Sequence, residues 1–247
     1  MLHAFTRGKS SLHRTRYLGS KKFDDGLGEE EKRKTQEDEI TSIVFTPLAL
    51  MPEAWIARFW HKLLVEKASN KAIIPNAEPL SAVMEFWPTR KTHQSATECL
   101  DRSRIEPELH IKVNYPNSDK KLTIIVEFKW NSGLNPCRAE NAWGKDQLDL
   151  QWGCYLTQSE RDNGFHIYIG KKPLTADYEH KERLLRLTWV DLLGAMNNIA
   201  QTEPNLFSWI SLVNKFMDAL DIYPFGGFLF LDKVEVQSHT GVLFFRA

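Results

Sequence analysis

Cysteine is scarce in this sequence. Cys99, Cys137 and Cys154 are its only three, widely spaced and with no CxxC pair. A disulfide scaffold and a cysteine-rich zinc site are therefore not expected, and a reducing cytoplasm is the compartment that fits. Long apolar runs are missing as well. Nothing approaches the roughly 18 residues that span a bilayer, and the first residues hold no signal-peptide apolar core, so no membrane contact is expected. Excess charge of either sign is absent, since 32 Lys and Arg balance 32 Asp and Glu. The chain is not a polycation, and any nucleic-acid surface must come from local clustering. The eight histidines show neither HxxxH nor HExxH spacing, which argues against a zinc site. No G-x-G-x-x-G, P-loop or G-x-S-x-G is present, so dinucleotide binding, P-loop chemistry and the serine elbow have no sequence support.

Eight Trp and fourteen Phe are enough to build a sizeable core. Residues 1–34 read as a basic, charged flexible leader. Arg7, Lys9, Arg14, Arg16, Lys21 and Lys22 come first, and a mixed-charge run follows. A solvated tail is the preferred reading. An arm on phosphates and an organellar transit peptide are the alternatives. From Glu37 the apolar residues Ile40, Ile43, Val44 and Leu48 recur at helical spacing, and Pro47 and Pro52 are expected to split two helices. Trp55, Phe59 and Leu63 mark the second. Short strands are expected at Val83–Trp87 and Leu109–Tyr115, the latter alternating and half-exposed, with a polar loop over 88–103. Leu122–Trp130 reads as a central strand covered on both faces. A helix from about Glu140 to Thr157, strands at Phe165–Ile169 and Leu184–Leu187, and helices at Trp189–Ala200 and Asn205–Leu220 complete an α/β or α+β domain over 35–220. Phe228–Leu231 and Val242–Phe245 suggest a C-terminal hairpin-like extension over 221–247.

The informative feature is charge on the most apolar strand. Leu122, Ile124, Val126, Phe128 and Trp130 share one face of it, and Ile125, Glu127, Lys129 and Asn131 share the other. Burying a charge costs several kcal/mol or more unless it is paired or binds a metal. A lone E-x-K is a weak signal, and an ordinary ion pair explains it better. The preceding strand, however, opens with Glu106-Pro107-Glu108. If the two strands pair antiparallel through the 116–121 turn, Glu108 falls beside Glu127. Two carboxylates within roughly 5–6 Å would suit magnesium, which takes oxygen ligands at about 2 Å. Lys129 would then offset charge on a phosphate or hold a water. Glu106 remains an alternative to Glu108.

Pro107-Glu108 followed by Glu127-Phe128-Lys129 at the end of an apolar strand resembles the PD-(D/E)XK nuclease superfamily. The resemblance covers about Glu37 to Thr157. It implies a restriction-endonuclease-like α/β fold, a central mixed sheet flanked by helices with an α-β-β-β-α-β core. It implies an acid on an earlier helix, matched here by Glu37, and a Gln-Leu pair on the helix after the acid-x-Lys strand, matched by Gln147-Leu148 with Gln151 one turn on. Its implied chemistry is Mg2+-dependent endonuclease hydrolysis of DNA to 5′-phosphate ends, with Mn2+ as substitute. Glu108, Glu127 and the Phe128 carbonyl would be metal ligands. Lys129 would act on the water, and Glu37 and Gln147 would assist. Arg102, Arg104, Arg138 and Lys145 flank this region and are the expected phosphate contacts. DNA is the implied partner. Restriction or antiviral defence, a protein partner supplying target recognition and a homodimer are arrangements the analogy admits. A catalytically inactive nuclease-fold protein acting as a nucleic-acid-binding or assembly subunit is the alternative.

Overall fold

The computed structural model of the chain describes residues 29–91, 104–116, 121–130, 132–136 and 146–222. Helices α1 (Glu29–Ala49) and α2 (Glu53–Lys67) precede strand β1 (Ser81–Phe86). The two-residue strands β2 (Arg90–Lys91) and β3 (Arg104–Ile105) pair with each other, and β4 (Leu109–Asn114) and β5 (Leu122–Lys129) follow. A short helix α3 (Gln147–Leu150) runs directly into a π-turn at Gln151–Tyr155, then helix α4 (Gln158–Asp162) leads to β6 (Gly164–Gly170). Strand β7 (Leu184–Thr188) and helices α5 (Trp189–Thr202) and α6 (Phe207–Asp218) complete the described chain. No helix among the described residues is long and apolar enough to cross a membrane.

The sheet order is β1-β4-β5-β6-β7. The first three strands are an antiparallel meander, and β6 and β7 continue parallel to β5. This is an α/β architecture with a five-stranded mixed open sheet. Alternation sends one side chain in two to each face. Leu109, Ile111, Val113, Leu122, Ile124, Val126, Phe128, Ile167 and Leu185 meet the helical layer of α1, α2, α5 and α6 in the main core. Phe128 stacks on Trp189 there, and Trp209 donates its indole N–H to the Val44 carbonyl at 2.7 Å. On the reverse face Ile105, Ile125, Leu150, Trp152, Cys154 and Tyr155 form a second cluster. Every residue of β5 is accordingly buried, as its apolar run leads one to expect.

Several expectations are corrected. Helix α1 begins at Glu29, inside the stretch read as a flexible leader, and it continues through Pro47 to Ala49. The proline lies in the last turn, so the one ladder bond it removes is lost at the helix end rather than in mid-helix. Strand β4 alternates as expected at Lys112 and Asn114, which are partly exposed, but not at His110. His110 is buried, with Tyr155 of the π-turn packed on its ring. Within the expected 88–103 loop, Arg90 and Lys91 instead form β2. Cys154 is disulfide-bonded. Residues 1–28 and 223–247, with most of the leader and the expected terminal hairpin, lie outside the described residues.

The reverse face is clamped by a charged cluster. Arg90 donates from Nη1 and Nη2 to Glu160 at 2.8 and 3.1 Å, and Lys112 Nζ lies 3.5 Å from the same carboxylate. Glu160 also closes a capping box with Thr157 at the start of α4. Burial pushes the Glu160 carboxyl up. That effect is outweighed by the Arg90 hydrogen bond, the Thr157 backbone N–H and the Arg90 charge, which hold it at about 2 against an ordinary 4.5. A depressed carboxyl contributes stability above its unfolded value and loses it as pH falls toward its folded value. Urea denaturation across a pH series is therefore expected to show a loss of stability below about pH 4.5 in the wild type. Glu160→Gln should flatten that limb, at a neutral-pH cost of about 1 kcal/mol or less because the pair is partly open to solvent.

Candidate active site

The acid-bearing end of the sheet is set by strand direction. Strand β4 runs opposite to β5, so its start lies beside the end of β5. The pairing Leu109↔Val126 places Glu108, one residue earlier, beside Glu127. The carboxyl ends of β5, β6 and β7 lie at this same edge, where open α/β sheets bind ligands. Helix α1 supplies the third acid. Glu37, Thr41, Val44 and Leu48 are buried at spacings of four, three and four, so Glu37 lies on the stripe that faces the sheet. It sits about two turns into the helix, beyond the first-turn positions where the helix dipole alone would account for an acid.

Glu37 is held on both oxygens. Lys129 Nζ donates to Oε1 at 2.9 Å. The Trp130 backbone N–H and the Ser132 hydroxyl donate to Oε2 at 2.8 and 2.6 Å. Lys129 Nζ also lies 2.5 Å from Glu127 Oε1. That contact is an ion pair outside hydrogen-bond alignment, and Oε1 of the fully buried Glu127 is left without an aligned donor. Glu127 Oε2 accepts from Gln151 Nε2 at 2.7 Å. Glu108 Oε2 accepts from the Trp87 indole N–H at 2.6 Å. Trp87 adopts φ 47°, a left-handed conformation that costs a bulky residue about 1–3 kcal/mol.

Carboxylate oxygens of Glu37, Glu108 and Glu127 lie within 4.8 Å of one another. This is inside the roughly 5–6 Å that shared magnesium coordination requires. Burial pushes the Glu108 carboxyl well above its ordinary range. The charges of Asp38, Glu127 and Glu37 add to this, and Lys129 opposes it. Burial likewise raises Glu127, against the pull of Lys129 and the Gln151 hydrogen bond. Lys129 is desolvated too, yet Glu127, Glu37 and Glu108 more than compensate and keep it protonated.

Behind Gln151 the hydrogen bonds have a direction. Its amide N donates to Glu127, so its Oε1 faces His166 Nε2 at 3.0 Å and requires the proton there. His166 Nδ1 is then an acceptor for His180 Nε2 at 3.3 Å. Burial, then His180, holds His166 well below the ordinary histidine range. Burial, then Arg186, holds His180 at about 4. Trp152 stacks on both rings.

The expected site residues divide clearly. Glu37, Glu108, Glu127 and Lys129 converge. Gln147 does not join them. It is the first residue of α3, behind the N-cap Asp146, and its Oε1 accepts from Asn135 at 3.4 Å. Gln151 takes the position expected of it. Glu106 stands apart, accepting from Thr89 at 3.0 Å, so of the two acids flanking Pro107 it is Glu108 that enters the cluster. Arg102, Arg138 and Lys145 lie outside the described residues, as does the Arg104 side chain, although its backbone belongs to β3. Trp87, His166 and Ser132 were not legible as site residues. Of these only Trp87 was named at all, as the end of the expected Val83–Trp87 strand. Comparison with protein-family models, with curated proteins and with solved structures finds no match for the chain.

The charge balance makes a testable point. Lys129→Met would leave Glu37 and Glu127 buried without their cation, a change that costs about 3–5 kcal/mol. A carboxyl raised above its unfolded pKa is destabilising once pH passes the unfolded value. The variant should therefore be most stable near pH 4–5 and lose stability steadily toward neutrality. Denaturant titrations at several pH values should show this slope, and a pH-independent loss would contradict it.

Proposed function

We propose that the chain is a metal-dependent nuclease of the PD-(D/E)XK type, with a restriction-endonuclease-like sheet, acting on the phosphodiester bonds of DNA. The observation that carries this reading is the convergence of Glu37, Glu108 and Glu127 within 4.8 Å around a lysine at one edge of the sheet. A purely structural ion pair has no use for three buried acids and one cation. The donor set is all oxygen and suits magnesium or manganese rather than zinc. Glu108, whose carboxyl burial holds well above its ordinary range and which accepts only from Trp87 among the described residues, is the group with capacity to spare.

Glu108 and Glu127 would hold the ion, with the Phe128 carbonyl as the third ligand that the resemblance implies. When bound, the ion supplies Lewis-acid polarisation of the phosphate and an acidified water. Coordination by Glu108 requires its proton to leave, so metal binding should release protons. Lys129, held between Glu37 and Glu127, stands where it can orient the attacking water and offset the negative charge that grows on the phosphoryl oxygens. Water adds to phosphorus, the bond to the 3′-oxygen breaks, and the product carries a 5′-phosphate. Glu37 fixes Lys129, and Gln151 fixes Glu127. Arg102, Arg104, Arg138 and Lys145 remain the proposed flanking phosphate contacts. A role in restriction or antiviral defence, in the cytoplasm and with a partner protein or a second copy, belongs to the same proposal by analogy only.

One observation favours a second reading. The Lys129 ammonium already neutralises two of the acids at 2.9 and 2.5 Å, as a non-cutting nucleic-acid-binding or assembly subunit would allow. Plasmid, linear duplex, single-stranded DNA and RNA incubated in Mg2+ and in EDTA separate the two. The nuclease reading expects Mg2+-dependent cleavage that falls about a hundredfold or more in Glu127→Ala and Lys129→Ala. Cleavage that survives either substitution sinks the assignment. Salt-sensitive binding without cleavage supports the second reading.

A further inference from the structure

The parallel part of the sheet carries a row of side chains that the acid-x-Lys constellation does not use. Glu127 on β5 is in register with Tyr168 on β6, and Tyr168 is in register with Arg186 on β7. Partners in a parallel ladder point to the same face. Here it is the face of Gln151 and the histidines, because Tyr168 packs with Leu148, Tyr178 and Leu184 on that side. Neighbouring strands lie about 4.8 Å apart, so the Arg186 backbone is about 10 Å from that of Glu127, within reach of one phosphodiester and its neighbour.

The phenol leans along its strand toward the acid edge. A Cβ added to Gly170 would meet the Tyr168 hydroxyl oxygen and ring, so the absence of a side chain at 170 is what lets the ring lie there. Gly170 is itself in register with Lys129. The hydroxyl therefore hangs over the lysine row. It makes no hydrogen bond to any described residue and keeps contact with solvent. A tyrosine that is 8% exposed ordinarily bonds its hydroxyl to protein; this one is kept for something else. Burial, opposed by Lys129 and reinforced by Glu37 and Glu127, raises its pKa, so it is a donor at neutral pH. Arg186 lies over the Tyr178 ring at 5.8 Å and has no ion-pair partner among the described residues. Among the described residues, a half-buried guanidinium without an acid next to a phenol without an acceptor is a donor pair that lacks an anion.

We propose that Tyr168 and Arg186 are phosphate-contacting residues of this site. The phenol donates a hydrogen bond to a non-bridging oxygen of the phosphodiester beside Lys129, and the guanidinium pairs with the adjacent phosphate of the same strand. The assignment rests on the nuclease reading for the identity of the anion, and its geometry comes from different strands and different residues. It also places backbone recognition on β6 and β7, independent of the arginines outside the described residues.

The test uses the full chain and two readouts. Binding of a fluorescein-labelled DNA oligonucleotide, single-stranded and duplex, is followed by anisotropy in Ca2+ over a salt series. Cleavage kinetics are followed in Mg2+. Arg186→Gln should weaken oligonucleotide binding about tenfold or more and reduce the salt slope by about one. Tyr168→Phe keeps the packed ring and should lower cleavage about tenfold with little change in thermal stability. Gly170→Ala pushes the phenol aside and should mimic Tyr168→Phe, and the double variant should be no worse than either alone. Unchanged binding in Arg186→Gln together with unchanged cleavage in Tyr168→Phe overturns the proposal while leaving the nuclease reading intact. Oligonucleotide binding that is lost in Arg186→Gln in a wild-type protein that never cleaves keeps this proposal and removes the nuclease reading. A wild type that neither binds nor cleaves overturns both.

Discussion

The ion-paired contact of Glu37 with Lys129 is the constraint from which the site follows. Two elements far apart in the chain meet there, one helical and one extended, and each brings a charge that neither could bury alone. Desolvating a carboxylate or an ammonium costs several kcal/mol, and the cost is recovered only where the geometry is close and the spare lone pairs are bonded. Glu37 meets that requirement through Lys129, the Trp130 backbone and Ser132. Once it is fixed, Lys129 is fixed, and the position of Glu127 beside it follows from the pleat. Glu108 then has no choice of environment, because the antiparallel register and the Trp87 indole deliver it to the same spot.

Periodicity carried most of the fold. The long strands and both C-terminal helices were legible because burial on one or two faces imposes a period that local residues must obey. The pairing of Glu108 with Glu127 was legible for the same reason, as a short turn between two antiparallel runs leaves little freedom of register. What was not legible depends on features without a period. Gln147 and Gln151 stand four residues apart and look equivalent on an ideal helix. The Asp146 cap starts α3 late and the chain widens into a π-turn at Gln151, so only the second glutamine meets the acid. The conformation of Trp87 and the close approach of the Tyr168 ring to Gly170 are properties of tertiary packing. Neither leaves a mark on its neighbours in sequence.

The two faces of the sheet divide the labour. The helical face is a large apolar core whose aromatic residues stack and interlock. The opposite face holds the Arg90–Glu160 clamp, the Gln151–His166–His180 chain and the Glu127 and Lys129 side chains of the acid edge. A rigid apolar slab thus serves as the reference against which small polar displacements are held. Sites on strand and helix scaffolds are held more accurately than sites on loops for this reason.

The sequence separation of 92 residues between Glu37 and Lys129 has a consequence for how the molecule assembles. Contacts between segments so distant in the chain carry a large closure entropy and form slowly relative to hairpins and local helices. The β4–β5 hairpin closes first on these grounds, with Glu127 and Lys129 still hydrated at its end. The docking of α1 is then also a step that dehydrates the acids, so a chain with α1 undocked would have its hairpin but not its assembled site.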